Sequence, residues 1–395
     1  MKPLKDNPLV SIVTLNWNGL EVTLEFLEST RNLTYKNYEI IVVDNGSTID
    51  PTEKIMAGNY HNVKVVKSPV NLGSAGGNNF GMRHMSPHYD FCFQVNNDAE
   101  VTPDLIEKCL QPFYDDPKVG AVCPKIRFHH HPTIIQYAGF NKMNMLTGKT
   151  TAVGSLEEDK GQHDTPGYTH SAHGCAMMVS REVIEKVGMM AEKYFVYYDE
   201  SDWSARIIKA GYKIFYQAKG LVYHKESMSM GKLSPLKVHF MTRNRIYYMR
   251  RNASMGEFLV FAGFFGFLTV PKTVLRFTKN RQFEHLTAFM KGITWNFTNS
   301  KKSIPGILPT PKNQFNKLSK AANGSLHFIF IKKKLPTDLN ILEKQKKIRV
   351  LECIRQGQIG GGESHLLSLV ENLDKNIFTP IVLSFTDGPM INRLT

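Results

Sequence analysis

Short apolar β-branched runs alternate with stretches of helical spacing along the first 220 residues. Val10–Leu15 reads as a strand, and Val22–Leu33 carries apolar residues at helical intervals. Glu39–Asp44 (EIIVVD) is a buried-strand pattern, closed by a turn at Asn45-Gly46-Ser47. Val63–Val66 predicts a third strand, Ala75–Met85 a helix and Phe91–Val95 a fourth strand. Thr102-Pro103 reads as an N-cap with proline at the first helical position, opening a helix to about Gln111. Val119–Cys123 is a fifth strand. Such alternation predicts an α/β fold with a mostly parallel sheet covered on both faces.

The pattern loosens after about residue 128. Gly139–Gly154 predicts a hairpin-rich insertion and Leu156–Tyr168 a polar loop. His173–Val179 is strand-like, and Arg181–Val187 and Asp202–Ala210 are helical, the latter stopped by Gly211. Lys213–Tyr216 and Leu221–Tyr223 predict two short strands. Residues 300 to 347 have a Lys-rich linker composition, and a new strand pattern starts at Ile348.

Composition narrows the class. A chain of 395 residues, 42% hydrophobic and 21% charged, is globular and suggests two or three units. Five cysteines without a CxxC pair exclude a disulfide scaffold and a Cys-rich zinc site. The N-terminus lacks a long apolar h-region, so a cytoplasmic location is expected. No run of 18 apolar residues occurs, which argues against a multi-span membrane protein.

The net charge of +14 sits in one place: Lys272–Arg349 holds 17 Lys and Arg against 3 acids. Just upstream lies an apolar, aromatic run, Phe258–Val270, followed by Pro271. Thirteen residues are too few to span a bilayer but enough to lie in its interface. Beside Lys272, Arg276, Lys279 and Arg281 the run points to an anionic membrane surface rather than to nucleic acid. The plain alternative is a buried helix with a solvated basic tail.

Four strand ends carry polar clusters: Asn16-Trp17-Asn18-Gly19, Asp44-Asn45-Gly46-Ser47, the segment Asn71 to Asn79, and Asn96-Asn97-Asp98. In open α/β sheets ligands sit outside the carboxyl ends of strands. Asp44 is placed to accept from a nucleoside, the glycine-rich helix start from Gly73 to offer N–H groups to phosphate, and Asp98 to hold a hard cation. Asx-turns and N-caps explain any one such residue, but four clusters in one topological place point to a nucleotide site. A second acidic group, Asp199-Glu200-Ser201-Asp202, follows aromatic residues at a helix start. Capping explains one or two of these acids. A desolvated carboxyl there would suit general-base duty. His224 stands at a strand end, where a lone histidine is more often structural than a ligand.

The motifs VSIVTLNWNG, EIIVVDNGS, NLGSAGGNN, the NND at 96–98, HGCAMMVSREVIEKVG, YYDESDWSARIIKAGY and the VYH at 222–224 resemble glycosyltransferase family 2, especially its rhamnosyltransferase-like branch. The resemblance spans residues 8 to about 250. It implies a GT-A fold and an inverting enzyme that takes a nucleotide-diphosphate sugar, a dTDP- or UDP-sugar, with Mg²⁺ or Mn²⁺. By the same resemblance Asn96 opens the D-x-D-like motif, leaving Asp98 as metal ligand with His224. Asn16, Asp44, Asn71, Gly73 and Asn78 then hold nucleoside and phosphate, and His173–Met177 lines the sugar and acceptor cleft. The acid-acid-x-Asp motif falls on Asp199, Glu200 and Asp202, with Glu200 or Asp199 as base.

The implied reaction is one in-line displacement onto a hydroxyl of a glycan or lipid-linked glycan, at the inner face of the cytoplasmic membrane, in cell-surface polysaccharide synthesis. Three other classes compete. A nucleotidyltransferase would place a basic residue after strand one, where Asn16-Trp17-Asn18-Gly19 has none. A nucleic-acid binder leaves the strand-end acids unexplained, and an inactive scaffold leaves the carboxylates without use. The expected organisation is a GT-A domain over 1–250, a membrane-associated helical region over 251–300, a linker over 301–347 and a fragment over 348–395. That fragment resembles the start of a family 4 glycosyltransferase of GT-B fold, with Gly360–Glu363 opening a helix at Leu366–Leu373 between two strands.

Overall fold

The computed structural model describes residues 6–225, 234–298, 348–354 and 378–384. The chain divides into two compact units, Met1–Gly324 and Ser325–Thr395.

The first unit opens with β1 (Val10–Asn16), α1 (Leu20–Thr30), β2 (Tyr38–Asn45), α2 (Thr52–Ala57), β3 (Val63–Ser68), α3 (Gly73–Met82) and β4 (Phe91–Val95). Then come β5 (Ala99–Val101), α4 (Leu105–Asp115), β6 (Val119–Phe128), β7 (His131–Tyr137), β8 (Gly167–Thr169) and β9 (Ala176–Ser180). The remainder is α5 (Arg181–Val187), α6 (Asp199–Lys209), β10 (Lys213–His224), α7 (Pro235–Asn252), α8 (Met255–Phe264), α9 (Val270–Lys279) and α10 (Phe283–Thr298).

Ten strands form one sheet in the order β3-β2-β1-β4-β9-β6-β10-β5, with β7 on β6 and β8 on β10. The β3-β2-β1-β4 half is parallel throughout. Strand β9 enters antiparallel between β4 and β6, and β10 returns parallel to β6. The sheet is therefore mixed. Its β2 strand is buried along nearly its whole length, because helices cover both faces. The core runs through Val10, Ile12, Ile40, Val42, Phe91, Phe93, Val122 and Met178.

Several elements depart from the sequence pattern. The two short strands expected over 213–223 are one strand, β10, with its register shifted between Gln217 and Leu221. Gly220 in that shift packs against Pro124 and Leu105, so the apolar run breaks while the ladder continues. Strands β5 and β7 were not legible: β5 has only three residues, and β7 does not alternate cleanly. Thr102 is not the N-cap of α4; its hydroxyl donates to the Leu221 carbonyl and the helix starts after Asp104.

The apolar helix is also longer than its apolar run. From Met255 to Lys279 the chain is helical over 25 residues, about 37 Å at 1.5 Å per residue. Proline 271 does not end it, because a π-helical turn at Phe265–Thr269 absorbs the missing N–H and the ring. By length and composition alone this helix could cross a membrane, which corrects the thirteen-residue estimate. Ser254 and Glu257 start it with a reciprocal capping box.

A second core crosses the boundary expected at residue 250. It joins Tyr194 and Tyr198 to Tyr247, Tyr248 and Met249 of α7 and to Phe261, Phe265, Phe277 and Phe289. In the second unit, β11 (Ile348–Ile354) and β12 (Phe378–Ser384) pair in parallel, Ile348 opposite Phe378. The expected helix at Leu366–Leu373 and the segment Gly360–Glu363 lie outside the described residues.

Candidate functional site

The polar strand ends do converge. Asn16 and Asp44 are register partners at the ends of β1 and β2, and both are buried. Asn16 Nδ2 donates to Asp44 Oδ1 at 3.3 Å and to Ser47 Oγ at 3.2 Å, while Thr23 donates to its Oδ1 at 3.0 Å. The Asn45-Gly46 turn is tight enough to demand glycine: φ is +78° at Gly46, and a Cβ there would stand 2.6 Å from the Val70 carbonyl carbon. Asn45 Nδ2 reaches Asn71 Oδ1 at 3.3 Å and the Gly73 carbonyl at 3.1 Å, tying β2 to the start of α3.

That start is occupied by the chain itself. The Ser74 N–H donates to the Phe195 carbonyl at 2.5 Å and the Ala75 N–H to the same oxygen at 3.4 Å. The Gly73 N–H donates to Asn71 Oδ1 at 2.8 Å. Gly73 has φ +73°, and a Cβ there would meet the Phe195 oxygen at 2.3 Å. Asn78 is buried and bonds back to the Ser74 carbonyl at 3.1 Å. The expected phosphate cradle at Gly73 and Asn78 is thus a packing joint for the 195–198 loop. Glycine serves close approach there, a reason the sequence does not distinguish from phosphate binding.

Asp98 and His224 meet as expected: His224 Nε2 lies 3.1 Å from Asp98 Oδ1, and Asn96 Nδ2 lies 3.5 Å from the same nitrogen. The antiparallel register of β10 on β5 sets His224 opposite Ala99. Nδ1 of His224 faces Gln136 Oε1 at 2.8 Å, which accepts its proton and turns Nε2 toward Asp98. Burial would raise the Asp98 carboxyl, but His224 outweighs it and holds Asp98 below its usual range. Burial would likewise lower His224, yet Cys175 and Asp98 together lift it well above its usual value. A carboxylate oxygen and an oriented imidazole nitrogen fit Mg²⁺ or Mn²⁺. Among the described residues no cluster of three or more His, Cys, Asp or Glu of metal-holding geometry occurs. Asp98 and His224 are the side chains that would hold such a cation.

A cleft of about 990 Å³ opens at this end of the sheet, lined among others by Trp17, Asn18, Gly19, Asn97, Asp98 and Lys225. Neither Asp44 nor Glu200 lines it, so it reaches only the Asp98 end of the constellation.

The loop from His173 to Cys175 connects the Asp98–His224 end to the acids of α6. The Cys175 carbonyl accepts the Asn96 N–H at 2.8 Å, and Gln94 Nε2 donates to the Gly174 carbonyl at 3.1 Å. A Cβ on Gly174 would stand 3.8 Å from Glu200 Cγ, so Glu200 leans on this loop. The His173 ring lies 6.1 Å from that of His224, and burial lowers His173 to about 3, leaving it neutral. From Cys175 to Met177 the chain is fully buried as it enters β9, so only His173 and Gly174 of the stretch expected to line the cleft keep partial exposure.

Asp199 and Glu200 open α6 side by side, with Ser74 beside Asp199. Burial raises both carboxyls, and the neighbouring Asp199 pushes Glu200 further, well above an ordinary glutamic acid. Asp202 is different. It is fully enclosed and accepts from Arg206 Nε at 2.9 Å, Arg251 Nε at 2.9 Å, Asn252 Nδ2 at 2.9 Å and Tyr194 Oη at 3.1 Å. Burial alone would raise it, but Arg206 and Arg251 hold it below the usual range. Its oxygens are spoken for, so Asp202 fastens α6 rather than doing chemistry.

The approach to these acids is strained. Phe195, Tyr197 and Tyr198 have φ of +65°, +65° and +67°. Each such bulky residue in the left-handed region costs about 1–3 kcal/mol.

Sequence reasoning missed Ser47, Thr23, Gln94 and Gln136 as partners of site residues. Ser47 and Thr23 carried a signal, Ser47 as the last residue of the second strand-end motif and Thr23 just after the first. Gln136 carried none, because β7 itself was not expected.

Residues 11–188 match the family model Glycosyl transferase family 2. The chain is 26% identical over 267 residues to the uncharacterized protein y4gI of Sinorhizobium fredii, covering 65% of this chain and 29% of that one. It is 25% identical over 228 residues to an N-acetylglucosaminyl-diphospho-decaprenol L-rhamnosyltransferase of Mycobacterium tuberculosis, covering 52% of this chain and 73% of that one. The crystal structure of GalNAc-T7 with UDP, GalNAc and Mn²⁺ superposes with a TM-score of 0.53 at 16% identity, over 74% of this chain and 58% of that one. The sheet order, the helices on its faces and this likeness together give the GT-A fold. Over residues 11–188 the chain is similar to glycosyltransferase family 2.

Proposed function

We propose that the protein is an inverting glycosyltransferase that moves a hexosyl or rhamnosyl group from a dTDP- or UDP-sugar to a hydroxyl of a lipid-linked glycan. The observation that carries this reading is the strand-end constellation. Buried Asn16–Asp44 and paired Asp98–His224 lie at strand ends of one sheet, and the 173–175 loop connects the Asp98–His224 end to the raised Asp199–Glu200 pair.

Asp44 and Asn16 orient the nucleoside through their fixed hydrogen-bonding edges. Asp98 and His224 would hold Mg²⁺ or Mn²⁺, which when bound neutralises charge on the departing diphosphate. Glu200 takes the proton from the acceptor hydroxyl; its raised pKa makes it a stronger base than an exposed glutamate, and Asp199 sustains that shift. Gly174, beside Glu200, leaves room for the acceptor. No covalent intermediate on the chain is needed, since one displacement inverts the anomeric carbon.

A lipid-linked acceptor is supported by the named substrate of the mycobacterial relative. It is also supported by the helix over Met255–Lys279. Leu259, Val260, Phe267, Leu268 and Leu275 on that helix are more than half exposed, beside Lys272, Arg276 and Lys279. Its Phe261, Phe265 and Phe277 pack inward on the second core. A helix packed on one side and apolar on the other suits the interface of an anionic membrane, at the cytoplasmic inner face.

A donor panel tests the reading. The full chain with a membrane extract of lipid-linked glycans should transfer sugar from one dTDP- or UDP-sugar, with Mn²⁺ or Mg²⁺ and not with EDTA. Failure with every donor, together with no thermal shift by UDP or dTDP in Mn²⁺, contradicts it.

A further inference from the structure

The acids of α6 depend on a helix that lies beyond the family-matched segment. Helix α7 starts cleanly at Ser234-Pro235, with Ser234 Oγ capping the Lys237 N–H. It then presents two buried residues, Arg243 and Asn244, to the carbonyls of the loop before Asp199. Asn244 Nδ2 lies 3.0 Å from the Tyr194 oxygen, 2.6 Å from that of Val196 and 2.8 Å from that of Tyr197. Its Oδ1 accepts from Arg243 Nε at 2.8 Å, which fixes the amide with its donors toward the loop. Arg243 also donates to the Lys193 carbonyl at 2.8 Å and to that of Tyr194. Phe240 and Trp295 cover its guanidinium, 4.6 and 4.7 Å from their ring centres.

The loop so held contains the three left-handed aromatic residues, which only surrounding structure can keep in place. One end of it is closed by Phe195 on the start of α3, and the other by Asp202 bridging Tyr194, Arg251 and Asn252.

We propose that Arg243 and Asn244 are positioning residues for the transfer reaction, clamping the Phe195–Tyr198 loop so that Glu200 stands at the acceptor. This rests on the functional reading above. Neither residue is placed at substrate; both act through the backbone carbonyls of residues 193–197. The same helix carries Tyr247, Tyr248 and Met249 into the second core with the apolar helix, so the clamp and the membrane-facing helix share one scaffold.

The test uses the full chain with Asn244→Ala, steady-state transfer kinetics and amide hydrogen exchange. Asn244→Ala should lower kcat about 10- to 100-fold, the range expected for misplacing a catalytic group by an ångström. The donor KM should change less than about 3-fold, because Asp44, Asn16 and Asp98 are untouched. Exchange in peptides covering 195–200 should quicken about 10-fold while peptides of β2 and β9 keep their protection.

A kcat within about 3-fold of wild type, or unchanged exchange at 195–200, overturns the proposal. A fall in kcat matched by lost donor binding and faster exchange throughout overturns it too, since that marks general destabilisation. Where Asn244→Ala does not fold, Arg243→Lys keeps the charge but loses the fork, and the same split with a smaller kcat loss is expected. A wild-type chain that transfers nothing refutes the functional reading. The exchange arm still decides whether the clamp exists.

Discussion

The proposed donor side and the proposed acceptor side of the site are built differently. On the proposed donor side Asn16 and Asp44 are register partners at the ends of two parallel strands, and Asp98 lies in the turn between β4 and β5. Their positions follow from the elements that carry them. On the acceptor side Glu200 follows a loop with three strained aromatic residues, held by α3 below and α7 above. The first arrangement is local and cheap; the second stores strain that distant residues must offset. On this reading the proposed binding geometry comes from the sheet, and the placing of the proposed base comes from helices added after it.

The sharpest way to break this contrast is to remove a reacting group while keeping the frame. Glu200→Gln should cut transfer about 10²–10⁴-fold, the usual contribution of a general base. Nucleoside-diphosphate affinity, read by calorimetry in Mn²⁺, should stay within about 3-fold if donor and acceptor sides are independent. Asp98→Asn should cost about 10²–10³-fold in rate and weaken the Mn²⁺ dependence of nucleotide binding, an effect that Glu200→Gln should not share.

Asp202→Ala sharpens the comparison from the side of stability. It leaves Arg206 and Arg251 buried without their carboxylate, so a loss of about 3–5 kcal/mol is expected in urea unfolding. Gly73→Ala should cost about 1–3 kcal/mol, for the strained φ and the approach to Phe195, and should lower kcat by displacing the loop.

The pH profile gives a smaller, graded effect. Glu200 must be deprotonated to accept the hydroxyl proton, and its carboxyl is raised in the folded chain. Activity should therefore fall as pH drops through a value above the ordinary glutamate pKa of about 4.3, not near it. A kcat profile flat down to pH 5 would show that the acceptor is deprotonated by another group.

Legibility in the sequence divides along the same line. EIIVVD followed by Asn-Gly-Ser, and FCFQV followed by Asn-Asn-Asp, announce both strand and site, because a buried strand and its polar end are contiguous. The His224–Asp98 pair was legible only through family resemblance, since 126 positions separate them and β5 was too short to foresee. Gly73 and Asn78 misled because a glycine that admits a phosphate and one that admits a neighbouring carbonyl look alike in a sequence. Asp202 misled for a related reason: an acid in the first turn of a helix does not announce that two arginines enclose it. Arg243 and Asn244 sit in a helix whose charged and aromatic residues show no clean amphipathic stripe, and their partners are carbonyls, which leave no mark in the sequence. The apolar helix was read too short because Pro271 normally ends a helix, and here a π turn carries it through.

The membrane contact is the weakest effect expected. Deleting the helix would also remove Phe261, Phe265 and Phe277 from the second core, so exposed positions are the better probe. Phe267→Ser with Leu275→Ser should reduce binding to anionic vesicles several-fold, at roughly 1 kcal/mol or more of burial per side chain, with transfer to a soluble acceptor unchanged. Equal vesicle binding by the double variant would remove the helix from the account.

The most direct measurement is single-turnover transfer by the full chain and by Glu200→Gln, with the donor that the panel identifies and Mn²⁺ present. The wild type should give a product of inverted anomeric configuration by NMR, with one nucleoside diphosphate released per sugar moved. Glu200→Gln should bind the same donor and transfer at least about 10²-fold more slowly. Retained configuration, or transfer by Glu200→Gln at the wild-type rate, would contradict the assignment of the base and the single displacement built on it.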